Sequence, residues 1–345
     1  MSKQEANIYE IAKEAGVSIA TVSRVMNHSA AVSEKSTRRV MEAIKKLNYV
    51  PNSMARSLSK SVSTSIGVVL PNISDPFFSQ VLKGVSAVAD EHGFQVILYN
   101  TDDDEIREQK ILHTMREHRL RGIIIAPVSE ECKDTLALLK DFAIRSIPVV
   151  LIDREVEDPT FDRVVSQDED GVYRAVCAMI QGGHERIAIV TGPQRSRTGK
   201  ERLHGYRRAL KDFGIPTNRD YIRHGDFRME RAYEETLALC ALPEPPTAIF
   251  ASNNMTTYGC LKAFGELGLT VGKDIALIGF DDIESLRWLN YNISVVSRDV
   301  DDMGRRAMGL LLKCLEQDEA TELGQHLSLP TELILRGSEL CTEKL

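Results

Sequence analysis

No apolar run in this 345-residue chain approaches the roughly 20 residues of a membrane span. The opening MSKQEANIYE is too polar for a secretory signal. The six cysteines (132, 177, 240, 260, 314 and 341) never form a CxxC pair, so reduced, mostly buried thiols are expected, with neither a disulfide framework nor a zinc site. His113 and His118 stand five apart without nearby thiols, which argues against a metal. No GxGxxG follows an apolar run. GPQRSRTGKE (192–201) has the look of a phosphate loop, but Gly192 and Gly199 are too far apart and Glu201 stands where Ser or Thr would hold Mg²⁺. Low-complexity tracts, short repeats and any grouping of a nucleophile with a base are missing too. An exported solute-binding protein lacks its signal here, and an enzyme lacks its machinery; no cofactor is expected.

A positive net charge is also lacking, since the chain carries −7. The deficit is uneven. Residues 1–60 hold ten Lys/Arg and five Asp/Glu, a surplus of five positive charges, which leaves −12 for the rest. A basic head can neutralise phosphates while an acidic body keeps the protein soluble.

What the head contains is helical. Ile8, Ile11, Ala12 and Ala15 give one short amphipathic helix, broken at Gly16. Ser18 caps a second through about Met26, and Ser33 caps a third that ends before Pro51. Helix, glycine turn, helix is the helix-turn-helix pattern. In the stretch GVSIATVSRVMNHS (16–29), Val17, Val22 and Val25 suffice for a buried stripe. Ser18, Thr21, Ser23 and Arg24 then lie outward, where short hydroxyls and a guanidinium suit phosphates and base edges. The bland alternative is a small helical domain with a solvated face. NSMARSLSK (52–60) has room for one or two helical turns, and SVSTS (61–65) is a polar linker.

Beyond Ser65 the texture is that of an α/β protein. Apolar runs at 66–71, 94–100, 122–127 and 148–153, then at 186–192, 247–253 and 275–282, alternate with helical patterns. Such runs imply parallel strands covered on both faces, hence two doubly wound parallel-sheet lobes. Open sheets of this kind bind ligands at the carboxyl ends of their strands, which singles out Asp75, Asp153, Asn253 and Asp281.

The segments IYEIAKEAGVSIATVSRVMN and VSEKSTRRVMEAIKKLNYVPNSMARSL, followed by VLPNISDPFFSQVLKGV, IDR, RLHGY, TAIFASNN and IGFDD, resemble the LacI/GalR family of bacterial transcription repressors over nearly the whole chain. The resemblance implies a helix-turn-helix head with hinge helix (1–60) and an effector-binding, dimerising core (61–345) like the type I periplasmic binding proteins. Three crossovers would join its lobes, with an N-lobe of about 61–165 plus 296–325 and a C-lobe of about 166–295 plus 326–345. It implies operator preference at Ile19 and Ala20, shared DNA contacts at Thr21, Ser23 and Arg24, and a phosphate contact at Asn27. Ala55 and Leu58 would lie in the minor groove, Leu58 as a wedge whose unstacking cost is offset by contacts that bending allows. The alternative for Leu58 is a buried linker leucine. Asp75, Phe77, Phe78, Asp153, Arg154, Arg202, Asn253, Asp281 and Arg298 match effector positions; singly, each aspartate could be a strand-end or turn residue.

Two departures stand out. Asn254 replaces a usual Asp, and Arg298 stands where sugar binders often have Gln. With Arg154 and Arg202, Arg298 could favour a sugar acid or sugar phosphate, though Asp75, Asp153 and Asp281 could equally neutralise all three. The expected partners are thus pseudo-palindromic double-stranded operator DNA, a sugar, sugar acid or sugar phosphate, and a second copy of the chain, with no membrane. The expected place is the cytoplasm, at the nucleoid. The competing reading is a sugar-handling α/β enzyme with an appended helical domain.

Overall fold

A computed structural model describes residues 7–27, 32–47, 49, 63–316 and 324–340. The chain divides into two compact units, Met1–Ser63 and Thr64–Leu345. The first contains helices α1 (Ile8–Ala15), α2 (Ile19–Asn27) and α3 (Glu34–Lys46). Asn7 and Glu10 form a reciprocal capping box at the start of α1. Gly16 ends that helix at φ 59°, a left-handed conformation that favours glycine. Ser18 Oγ accepts the Thr21 amide and starts α2; Ser33 does the same for α3 through Ser36. Ile11, Ala12, Ala15, Val22, Val25, Val40 and Ala43 form the small core.

The second unit is built on two six-stranded sheets. The first contains β1 (Ser65–Leu70), β2 (Gln95–Asn100), β3 (Leu120–Ile125), β4 (Val149–Ile152) and β5 (Asp162–Ser166), and the second contains β6 (Ile187–Thr191), β7 (Ile222–His224), β8 (Ala248–Ala251), β9 (Ala276–Phe280) and β10 (Ser294–Ser297). The chain then returns to the first sheet as β11 (His326–Leu329) and crosses once more as β12 (Glu332–Ile334), giving orders β11-β5-β4-β3-β1-β2 and β12-β10-β9-β8-β6-β7. All pairings are parallel except β10 with β12. Apolar clusters cover both faces of each sheet.

Three crossovers link the lobes, at Gln167, at Arg298–Asp299 and at Pro330–Thr331. The last corrects the lobe boundaries expected from the sequence. Residues 326–329 belong to the first lobe, because β11 pairs with β5 from His326↔Arg163 to Leu329↔Ser166. The alternation in HLSL marks a strand without saying which sheet takes it; Pro330, with no N–H to donate, ends the ladder.

The helix Pro76–Glu91 packs against the helix Val300–Glu316 through reciprocal glycines. A Cβ on Gly84 would lie 2.2 Å from the Asp301 carbonyl oxygen, and one on Gly304 would lie 2.2 Å from that of Val81. This contact fixes the spacing of two segments that matter below, since one helix starts at Asp75 and the other just after Arg298. Gly304→Ala is therefore expected to destabilise the core by about 1–3 kcal/mol, because backbone rather than a pliable side chain blocks the methyl. Urea unfolding of the variant checks this, and wild-type stability would refute the contact's role.

Candidate functional site

On α2, Val22 and Val25 are buried while Ile19, Ala20 and Arg24 are exposed and Thr21 and Ser23 are half-buried. The outward face thus carries the residues the sequence pointed to. The Ser18 and Thr21 hydroxyls also bond each other at 2.9 Å, which fixes the Thr21 rotamer. Ile19 is 41% exposed, an apolar side chain at the open N-terminal end of the helix. The side chain of Asn27, and Ala55 and Leu58 entirely, lie outside the described residues.

The nine expected cleft residues, Asp75, Phe77, Phe78, Asp153, Arg154, Arg202, Asn253, Asp281 and Arg298, line one cavity between the two lobes. Arg298 is its centre. Its guanidinium holds Asp281 of the second lobe in a two-pronged contact (2.8 and 3.0 Å) and reaches Asp153 of the first (2.7 Å) and the Ser166 hydroxyl (2.7 Å). It lies over the Phe77 ring, 4.1 Å from the centroid. Ser166 donates its own proton to Asp168, which binds Arg202 at 2.8 Å, and Arg202 stacks on Phe280 at 3.7 Å. Arg154 holds Asp103 at 2.6 Å. Every guanidinium in the cleft therefore has a carboxylate partner. Burial works against the charge on Arg298, but Asp281, Asp153 and Asp168 outweigh it and raise its pKa well above the usual value. Arg202, Arg298 and Arg197 overcome burial at Asp168 in the same way and lower its carboxyl.

Asp75 differs. It caps the helix Pro76–Glu91 by accepting the Phe77 amide at 3.0 Å. Across the cleft it accepts the side-chain amides of Asn253 (2.9 Å) and Asn254 (3.3 Å). Asn253 is itself the cap of the helix Asn254–Leu267, which aims it. An aspartate at 254 would have set two carboxylates face to face; Asn254 makes the contact attractive. Burial pushes the Asp75 carboxyl up to about 6, with Asp281 adding to the rise and the Phe77 amide opposing it.

About 20 Å³ remains in the cavity, room for one water, so a larger ligand requires the lobes to part. A second cavity of about 210 Å³ shares Phe77, Asp281 and Arg298 and adds Gln80, Asn254, Asp282, Glu284, Arg287, Ser297 and Val300. The sequence reading missed Asn72, Asp103, Thr198 and Phe227 in the first cavity. Asp103 follows the carboxyl end of β2, so the strand-end rule could have found it. Phe227 follows the three-residue β7 and covers Gly192, where a Cβ would meet its ring at 2.1 Å; that strand is too short to mark the site.

A helix-turn-helix unit and a two-lobed α/β core with a polar cleft between its sheets define a ligand-responsive, DNA-binding transcription regulator. Comparison with known proteins gives the family. Residues 7–52 match the model for bacterial regulatory proteins, lacI family, and residues 176–339 match that for a periplasmic binding protein-like domain. The HTH-type transcriptional repressor PurR of Actinobacillus pleuropneumoniae serotype 3 (strain JL03) is 31% identical over 333 residues, 96% of this chain and 98% of the relative. PurR of Photobacterium profundum is 31% identical over 310 residues, 89% and 91% of the two chains. Among solved structures, the lac repressor dimer bound to operator and the anti-inducer ONPF is 27% identical, with a TM-score of 0.83 over 98% of this chain and 100% of that one. The transcriptional regulator CelR in complex with cellobiose is 26% identical, with a TM-score of 0.72 over 96% and 99%. The chain belongs to the lacI family, as a regulator and not an enzyme. Among the described residues no helix is long and apolar enough to cross a membrane.

Stability should carry the mark of Asp75. Folded, it keeps its proton to about pH 6; unfolded, it releases it near 3.8. The folded chain binds the extra proton between those values, so this group's contribution falls as pH rises from about 4 to 6, by on the order of 2 kcal/mol. Burial also lifts Glu108 and Glu201 to about 7, which adds a loss of the same sign at higher pH. Asp75→Asn is expected to flatten the lower step alone in urea unfolding across pH 4–8. An unchanged profile would contradict the assignment.

Proposed function

We propose that the chain is a dimeric repressor that reads a pseudo-palindromic operator through α2, and that a polyhydroxylated ligand without an acidic group, bound between the lobes, sets its affinity for DNA. The observation that carries the ligand half is that nine side chains of both lobes line one cleft, with carboxylates, amides and guanidiniums suited to hydroxyl pairs and Phe77 suited to a carbon face. The pairing of each guanidinium with a carboxylate argues against a sugar acid or sugar phosphate, which would need a cation with no carboxylate partner. The cellobiose complex of CelR, a regulator of the same fold, supports a sugar as the ligand. The operator-bound lac repressor dimer supports the DNA half, as does the outward face of α2, where Ile19 offers an apolar contact for a thymine methyl and Arg24 a fork for guanine or phosphate. A second copy would cover the apolar residues left open on the core, among them Trp288 (73% exposed) and Leu289 (67%) in one lobe and Leu98 and Ile106 in the other. Such a protein acts in the cytoplasm, at the nucleoid.

The ligand changes DNA affinity only by its differential affinity for two lobe arrangements. The contacts of Asp75 with Asn253 and Asn254 hold one arrangement, and a ligand that parts the lobes must replace them.

Arg24→Ala is expected to weaken operator binding by about 1–3 kcal/mol if Arg24 reads a base, and to lower the steepness of the salt dependence if it contacts phosphate. Fluorescence anisotropy over a salt series on selected genomic fragments measures both, and wild-type affinity with an unchanged slope would sink the role of α2. For the cleft, Asp281→Asn should weaken the best-bound member of a panel of aldoses, sugar acids and sugar phosphates at least tenfold by calorimetry. Acids or phosphates binding more tightly than their parent aldoses would overturn the charge argument.

A further inference from the structure

Of the carboxylates that line the cleft, Asp103, Asp153 and Asp281 each hold a guanidinium. Asp75 holds none. Only 4% exposed, it accepts one backbone amide and two side-chain amides, all neutral donors, and no cation among the described residues pairs with it. Its neighbour Asn254, 2% exposed, gives its amide nitrogen to Asp75 and is left with a buried amide oxygen that has no donor. Two acceptors with spare capacity thus lie side by side. They adjoin the larger cavity of about 210 Å³, to which Asn254 contributes wall. Over the two cavities the lining residues include six carboxylates (Asp75, Asp103, Asp153, Asp281, Asp282 and Glu284) and four guanidiniums.

A buried anion without a counter-ion is costly, and a group that supplies both positive charge and several N–H donors recovers that cost. A hydroxyl offers one proton and no charge. A primary ammonium offers three protons, enough for the Asp75 carboxylate and the Asn254 oxygen together. We propose that the effector is a polyol bearing a primary ammonium, of the amino sugar class, with its ammonium seated between Asp75 and Asn254. The inference rests on the reading of the cleft as a polyol site and adds the charge that the polyol carries. Burial without a cation raises the Asp75 carboxyl to about 6, and an ammonium beside it would act in the opposite direction.

The test is calorimetry on the full chain at pH 7.5 with D-glucosamine and D-galactosamine set against D-glucose, D-galactose and N-acetyl-D-glucosamine. At least one amine is expected to bind about tenfold or more tightly than both its neutral parent and the acetylated form. Asp75→Asn, which keeps the side-chain shape, should erase that preference, while Asn254→Asp, which adds a second carboxylate, should enlarge it; thermal melts confirm that each variant is folded. If neutral sugars bind as well as their amines, or if the preference survives in Asp75→Asn, the ammonium seat is wrong and the polyol cleft stands. If no sugar of either kind binds, both readings fall.

Discussion

The buried guanidinium of Arg298 is the point on which the core turns. It sits on a segment that passes from one lobe to the other and holds a carboxylate of each, Asp281 and Asp153. Two buried aspartates on separate sheets would repel each other and would each lose water; one cation between them turns that conflict into cohesion. The same group bonds Ser166, which adjoins the first crossover at Gln167, and the Thr331 hydroxyl of the third crossover bonds the Gln167 carbonyl. All three crossovers are therefore fastened to one another within a few bonds. A relative movement of the lobes that starts at any one of them is felt at the other two.

Much of this arrangement was legible in the sequence, and the parts that were not share a physical cause. The seven strands read from the sequence each contain at least three consecutive apolar residues. Those missed are the interior strands β5 and β10, where polar residues leave only Val164-Val165 and Val295-Val296 as runs, and the short edge strands β7, β11 and β12, none with more than two consecutive apolar residues. Among the described residues of the head, the second and third helices start where Ser18 and Ser33 announce them and the first stops at Gly16; the capping box of Asn7 with Glu10 was not read. Tertiary packing had little to overrule there.

In the cleft, strand-end position and a family resemblance together found nine wall residues. They did not find the pairing among them. That Arg298 would take Asp281 and Asp153 for itself, leaving Asp75 to two amides, depends on which side chains the crossovers bring within reach. Asp168 shows the same limit. It is fully buried and ties Ser166 to Arg202, yet in the sequence it is one of three acidic residues in the first turn of a helix, where acid is ordinary.

Asp153 and Asp281 also share a backbone form. Each directly follows the last residue of a strand, each has a left-handed φ (62° and 69°), and each donates its own amide to a neighbouring strand, to Val164 and Val296, at 2.8 Å. The two lobes thus present their acids with one and the same turn. Asparagine tolerates that conformation nearly as well as aspartate. Charge and shape at these two positions are separable, so ligand preference can drift between relatives by exchanging acid for amide while the turn that aims the group stays as it is.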